Sequence, residues 1–73
     1  MNLVRKPDGK YVIIYGKGEN KYFDNVDQAC DFLQDVLLVS EEAIDTAVIA
    51  MSTNSHNWAI FTNDGRFSHT EQE

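Results

Sequence analysis

Val26, Ala29, Cys30, Leu33, Val36 and Leu37 recur at spacings of three and four, the rhythm of one apolar face of an α-helix. Asn25 followed by Gln28 has the form of a capping box, and Phe23 is placed to staple the entry. Together these signals predict a helix that starts at Asp24 or Asn25 and runs to about Leu38. Ser40 is a second N-cap candidate, with Glu41 and Glu42 well placed against the helix dipole. From Glu41 to about Met51 a helix would carry Ile44, Val48 and Met51 on one stripe, with Ala43, Ala47 and Ala50 beside it. The run Thr46 to Met51 also fits a buried strand, since a short apolar run has no diagnostic period. The three alanines and the Ser40 cap favour the helix.

The flanking segments read as hairpins. Leu3 to Lys6 is a short strand, and Lys6-Pro7-Asp8-Gly9-Lys10 has turn chemistry: Pro fixes φ, Asp bonds its own backbone and Gly accepts a left-handed conformation. Tyr11 to Tyr15 is apolar at alternate and intervening positions alike, which predicts a central strand. A Gly16 to Asn20 turn leads to a brief strand at Lys21-Tyr22-Phe23. After a polar loop from Ser52 to Asn57, Trp58 to Thr62 is a strand, Asn63-Asp64-Gly65 is a turn, and Arg66 to Thr70 returns. Glu71 to Glu73 is expected to fray. The Asp-Gly-Lys-Tyr and Asp-Gly-Arg-Phe runs match each other, and shared hairpin physics accounts for this more simply than an old duplication. The predicted fold class is α+β. A small antiparallel sheet of four or five strands, built from two hairpins, has both helices packed on one face, in the order β-β-(β)-α-α-β-β.

Seventy-three residues make one domain, with a thin core, because a chain of this size buries only about 60% of its unfolded surface. Hydrophobic content of 42% and charged content of 25% are ordinary for a globular protein. The single cysteine excludes an internal disulfide and points to a reducing compartment. The residues from Met1 to Pro7 lack the apolar core of a signal peptide, and no run approaches the roughly 18 apolar residues of a membrane span. These features predict a cytoplasmic protein with no membrane partner.

Charge changes the picture most. The net charge is −6, and between Lys21 and Arg66 there is no lysine or arginine, while Asp24, Asp27, Asp31, Asp35, Glu41, Glu42, Asp45 and Asp64 all fall there. Asp24, Asp27, Asp31 and Asp35 recur at three and four, so they are predicted to line one helix face without counter-ions. That face, with Glu42 assisting, is the candidate partner-binding surface. Its chemistry suits a basic protein surface, and a four-residue helical step of about 6 Å is on the scale of phosphate spacing in a nucleic acid. A solvated face that keeps the chain soluble is the plain alternative. Binding to nucleic acid itself is disfavoured by the net charge. The alternative function would use the first hairpin, where Arg5, Lys6, Lys10, Lys17 and Lys21 lie near Tyr11, Tyr15 and Tyr22, the ingredients of a single-strand platform.

Other chemistry is sparse. His56, Asn57 and Trp58 form a possible recognition patch. His56 and His69 have no metal-ligand spacing, Gly16-x-Gly18 lacks the rest of a phosphate fingerprint, and Cys30 lies on an apolar stripe as an inert thiol. No catalytic residue, metal or cofactor is implied, and the chain is not expected to be an enzyme. Leu37-Leu38-Val39 and Ala47 to Met51 exceed what one small sheet can cover, which predicts a homodimer through an apolar helix surface.

Overall fold

A computed structural model describes residues 1–72 of the chain. The elements are β1 (Asn2–Arg5), β2 (Tyr11–Gly16), β3 (Glu19–Phe23), α1 (Val26–Asp35), α2 (Glu41–Asn54), β4 (Trp58–Phe61) and β5 (Phe67–Glu71). They form one five-stranded antiparallel sheet in the order β3-β2-β1-β4-β5, with both helices on one face. The α+β class, the two hairpins and the order β-β-β-α-α-β-β are as the sequence predicts. β2 is an interior strand, as its two apolar faces require. The brief third strand is longer than expected, and β5 reaches Glu71, which pairs with Trp58 rather than fraying. Glu73 lies outside the described residues.

The two Asp-Gly turns close identically. Lys6 N–H donates to the Lys10 carbonyl (2.8 Å) and Gly9 N–H to the Lys6 carbonyl (3.0 Å). Thr62 N–H donates to the Arg66 carbonyl (2.8 Å) and Gly65 N–H to the Thr62 carbonyl (3.1 Å). Gly9 and Gly65 take φ of 86° and 84°, which a side chain would strain. The hairpins meet at the β1–β4 ladder, where Leu3 opposes Ala59.

Asn25 caps α1, its side chain accepting from Gln28 N–H at 3.0 Å, and the Gln28 amide oxygen reaches back to Asp24 N–H at 3.3 Å. The helix ends at Asp35, short of the predicted Leu38. Leu37 N–H still reaches the Phe32 carbonyl (3.2 Å), Leu38 flips to φ 57°, and Val39 N–H returns to the Leu33 carbonyl (2.9 Å). A left-handed Leu costs about 1–2 kcal/mol. Burial of Val39, which the turn drives into the core, is worth about 1.5–3 kcal/mol and offsets it.

The ambiguous run from Thr46 to Met51 is helix. Ser40 caps α2 through Ala43 N–H (3.2 Å). The helix continues past Met51 to a Schellman end: Ser55 is left-handed at φ 54°, its N–H bonds the Ser52 carbonyl, and His56 N–H bonds the Met51 carbonyl at 2.9 Å. Ala47 rather than Val48 occupies the centre of its buried stripe with Ile44 and Met51. Ala29 on α1 and Ala47 on α2 are both fully buried, and their small side chains let each helix approach the sheet closely. The core they complete contains Leu3, Ile13, Leu33, Val39, Ala59 and Phe61.

Candidate functional site

The predicted acidic row is divided by the fold. Asp24 precedes α1 rather than riding on it, and its carboxylate lies 3.9 Å from Lys10 Nζ. That pair is exposed and is worth about 0–1 kcal/mol, yet it gives Asp24 a counter-ion from the chain's own strand. Asp27, Asp31 and Asp35 are exposed on α1, and among the described residues none of them enters an ion pair. Glu42 stands apart from them. It lines a shallow groove of about 430 Å³ with Ser40, Thr46, Arg66 and Phe67, on the β5 side of α2.

The carboxylate that joins the row comes from α2 instead. Asp27, Asp31 and Asp45 act together on the half-buried Cys30 thiol, whose pKa is raised by burial first and then by these three charges. Sequence spacing could not place Asp45 there, because the juxtaposition arises from packing of α1 on α2. Its one signal in the sequence is a charged position directly after Ile44 on the apolar stripe of α2. The consequence is chemical: a thiol in a negative field stays protonated and is a poor nucleophile. Modification of Cys30 by a thiol-exchange reagent at pH 8 should therefore be slow and should accelerate severalfold in D27N/D31N/D45N. An unchanged rate would show that the three carboxylates do not act on it.

The basic residues of the first hairpin do not share a face. Neighbouring strand residues point to opposite sides of a sheet, so Tyr11 and Tyr15 pack against the helix-side core while Tyr22 lies on the other side. Lys6 Nζ sits 5.0 Å from the Tyr22 ring centroid and Lys21 Nζ 5.1 Å from that of Phe32. The three tyrosines thus form no single stacking platform. Arg5 and Lys6 reach a separate groove of about 360 Å³ with Met51, His56 and Asn57.

The His56-Asn57-Trp58 patch is likewise split. His56 Nδ1 lies 2.7 Å from Thr70 Oγ1, which also accepts from Asn54 Nδ2 at 3.3 Å, so His56 is tied to the helix side. Asn57 supplies its carbonyl to Arg5 N–H at 2.8 Å. Trp58 precedes the fully buried Ala59 and therefore points through the opposite sheet face.

That opposite face is covered by no helix. Its register brings Tyr22, Val12, Val4, Trp58 and Glu71 into one row across the strands. Asn20, Ile14, Asn2, Ile60 and His69 form the next. Val4 and Val12 are buried although neither belongs to the helix-side core. A one-sided antiparallel sheet ordinarily alternates apolar inward with polar outward, and this one is apolar outward on its inner strands. The sequence reading missed the surface because the residues come from four strands whose order is set by the β1–β4 ladder. On the helical side, Val36, Leu38 and Ile49 are 59%, 80% and 64% exposed.

Among the described residues no group of three or more His, Cys, Asp or Glu side chains is arranged to hold a metal ion, and no helix is long and apolar enough to cross a membrane. Comparison with protein families, curated proteins and solved structures finds no match to this chain.

Proposed function

We propose that the protein is a non-enzymatic interaction module. Its acidic helical layer binds a basic surface on another protein and so regulates or blocks it. One observation carries the reading: Asp27, Asp31 and Asp35 on α1 and Asp45 on α2 are all exposed and enter no ion pair among the described residues, and Asp27, Asp31 and Asp45 all raise the pKa of the one thiol, Cys30. Four of the chain's six lysines and arginines have partners of their own. Lys10 pairs with Asp24, Arg66 with Asp64 at 3.4 Å, and Lys6 and Lys21 cover aromatic rings.

Asp27 with Asp31, and Asp31 with Asp35, are like charges at i,i+4, each pair unfavourable by roughly 0.2–0.5 kcal/mol. A cationic partner would relieve that repulsion on binding, and long-range attraction would speed the encounter. A reducing compartment such as the cytoplasm suits the lone, half-buried Cys30.

The test is affinity capture by the wild type and by D27N/D31N/D45N, at low salt and at several hundred millimolar. At that higher salt a Debye length of about 10 Å at 0.1 M contracts further. A set of basic proteins retained by the wild type at low salt, and lost both at high salt and with the variant, is the expected result. Retention indifferent to both changes would sink the reading.

A further inference from the structure

We infer that the helix-free face of the sheet is a homodimer interface. It packs against the same face of a second copy, with the two-fold axis running along β1 between the two sheets. Six outward positions on four strands, Val4, Val12, Ile14, Tyr22, Trp58 and Ile60, are apolar, and among the described residues no helix packs over them: Val4 and Val12 are buried by their strand neighbours, while Ile14, Trp58 and Ile60 are half-buried. Tyr22 is 62% exposed. This inference concerns the sheet and does not rest on the acidic face.

Charge selects the occupant. The helical layer bears Asp27, Asp31, Asp35, Glu41, Glu42 and Asp45, so two helical layers brought together would repel. The uncovered sheet face is balanced, with Lys6 and Lys10 toward β3 beside Asp24, and Glu71 on the β5 edge. The opposite signs sit at opposite ends of one cross-strand row. Rotation about β1 lays the β3 edge of one copy over the β5 edge of the other. Val4 then meets Val4, Trp58 lands on Val12 of the second copy, and Glu71 reaches the Lys6 ammonium held over Tyr22. An isologous contact makes each of these interactions twice.

Val36, Leu38 and Ile49 on the helical side are each about as exposed as Tyr22 or more so, but they come from three separate places, the end of α1, the connection and α2, and share that side with the acids. Ile49 stands on α2 among Asp45, Thr46, Ser52 and Thr53 by helical spacing, and Leu38 lies in the connection between helices. The dimer predicted through an apolar helix surface is therefore reassigned to the sheet.

Five strands at ~4.8 Å spacing and roughly five residues at ~3.3 Å rise give a face of about 400 Å². That is below the roughly 800 Å² per partner of a standard interface, so the dimer should dissociate in the micromolar range. Sedimentation of the full chain from about 1 to 500 μM should pass from the 8.3 kDa monomer to twice that mass. Emission from Trp58, the only tryptophan, should shift to the blue over the same range. Ile60→Lys should weaken association at least tenfold with an unchanged far-UV spectrum, and Ile49→Lys should leave it intact. Lys6→Glu and Glu71→Lys should each weaken it, and together restore it. A wild type that sediments as monomer throughout overturns the inference, as does dissociation by Ile49→Lys but not Ile60→Lys. Failure of the double charge swap to restore association overturns the two-fold placement. Should Ile60→Lys fail to fold, the wild-type mass and Trp58 emission series decide the matter alone.

Discussion

Leu33→Ala should lower the stability of this protein by about 3 kcal/mol, within the 2–5 kcal/mol typical of such truncations in a core. Leu33 is fully buried, sits on α1 between Ala29 and the end of the helix, and its carbonyl anchors Val39 N–H as the chain turns. The side chain therefore fills the core beneath α1 while the backbone holds the turn that delivers Val39. Ala29 and Cys30, one turn earlier on that stripe, are too small to fill the vacancy. A domain of 73 residues has roughly 4–11 kcal/mol in total at 0.05–0.15 kcal/mol per residue, so this loss is a large fraction. At about 4–8 °C per kcal/mol for a domain of this size, the melting temperature should fall by about 12–24 °C. Thermal unfolding followed by circular dichroism checks it. A shift under a few degrees would mean that α1 is not held by this packing.

The interior was readable where local chemistry and burial agreed. Asn25 and Gln28 marked the start of α1 because the cap is made by residues three apart, with no help from the rest of the fold. Asp8-Gly9 and Asp64-Gly65 marked their turns for the same reason. Ser40 and the alanines decided α2 correctly, and full burial of Ala47 explains why a small residue stands there. What failed was set by distant partners. No local signal announces that α1 must stop at Asp35, since Val36, Leu37 and Leu38 continue its apolar rhythm. The stop follows from the gain in burying Val39.

The surfaces were less legible than the interior. Asp27, Asp31 and Asp35 share α1 as their spacing requires, but Asp24 falls off the helix because Asn25 is the cap. Asp45 joins only through helix–helix packing, and Glu42 turns toward Arg66 and Phe67. Trp58 could be recognised as a strand residue, but the side it faces depends on Ala59 entering the core. Once Ala59 is inward, Trp58, Ile60 and the β1 and β2 residues opposite them are committed to the other face. A polar alternation in those strands would have been visible; an apolar run hides which half of it is outward.

Phe61→Ala should be the second severe lesion, at about 3–5 kcal/mol. Phe61 is buried in β4, and its ring meets that of Phe67 at 6.2 Å between centroids in an edge-on arrangement. Its N–H also bonds the Met1 carbonyl at 2.7 Å, so the position ties the first strand to the second hairpin. Substitution leaves that backbone bond in place and removes only the ring, which makes the measurement a test of packing. An edge-to-face pair contributes about 0.5–1.5 kcal/mol beyond the area it buries. The double variant Phe61→Ala/Phe67→Ala should therefore be less destabilised than the sum of the two single variants by about that amount. Urea unfolding of the four proteins gives the coupling directly. If Phe61→Ala melts only β4 and β5 and leaves the α1 signal intact, the two hairpins are separate cooperative units. A single transition is expected, because Leu3, Ala59 and Phe61 belong to one cluster with Leu33 and Val39. That continuity lets the truncation under α1 and the one in β4 lower the same unfolding transition.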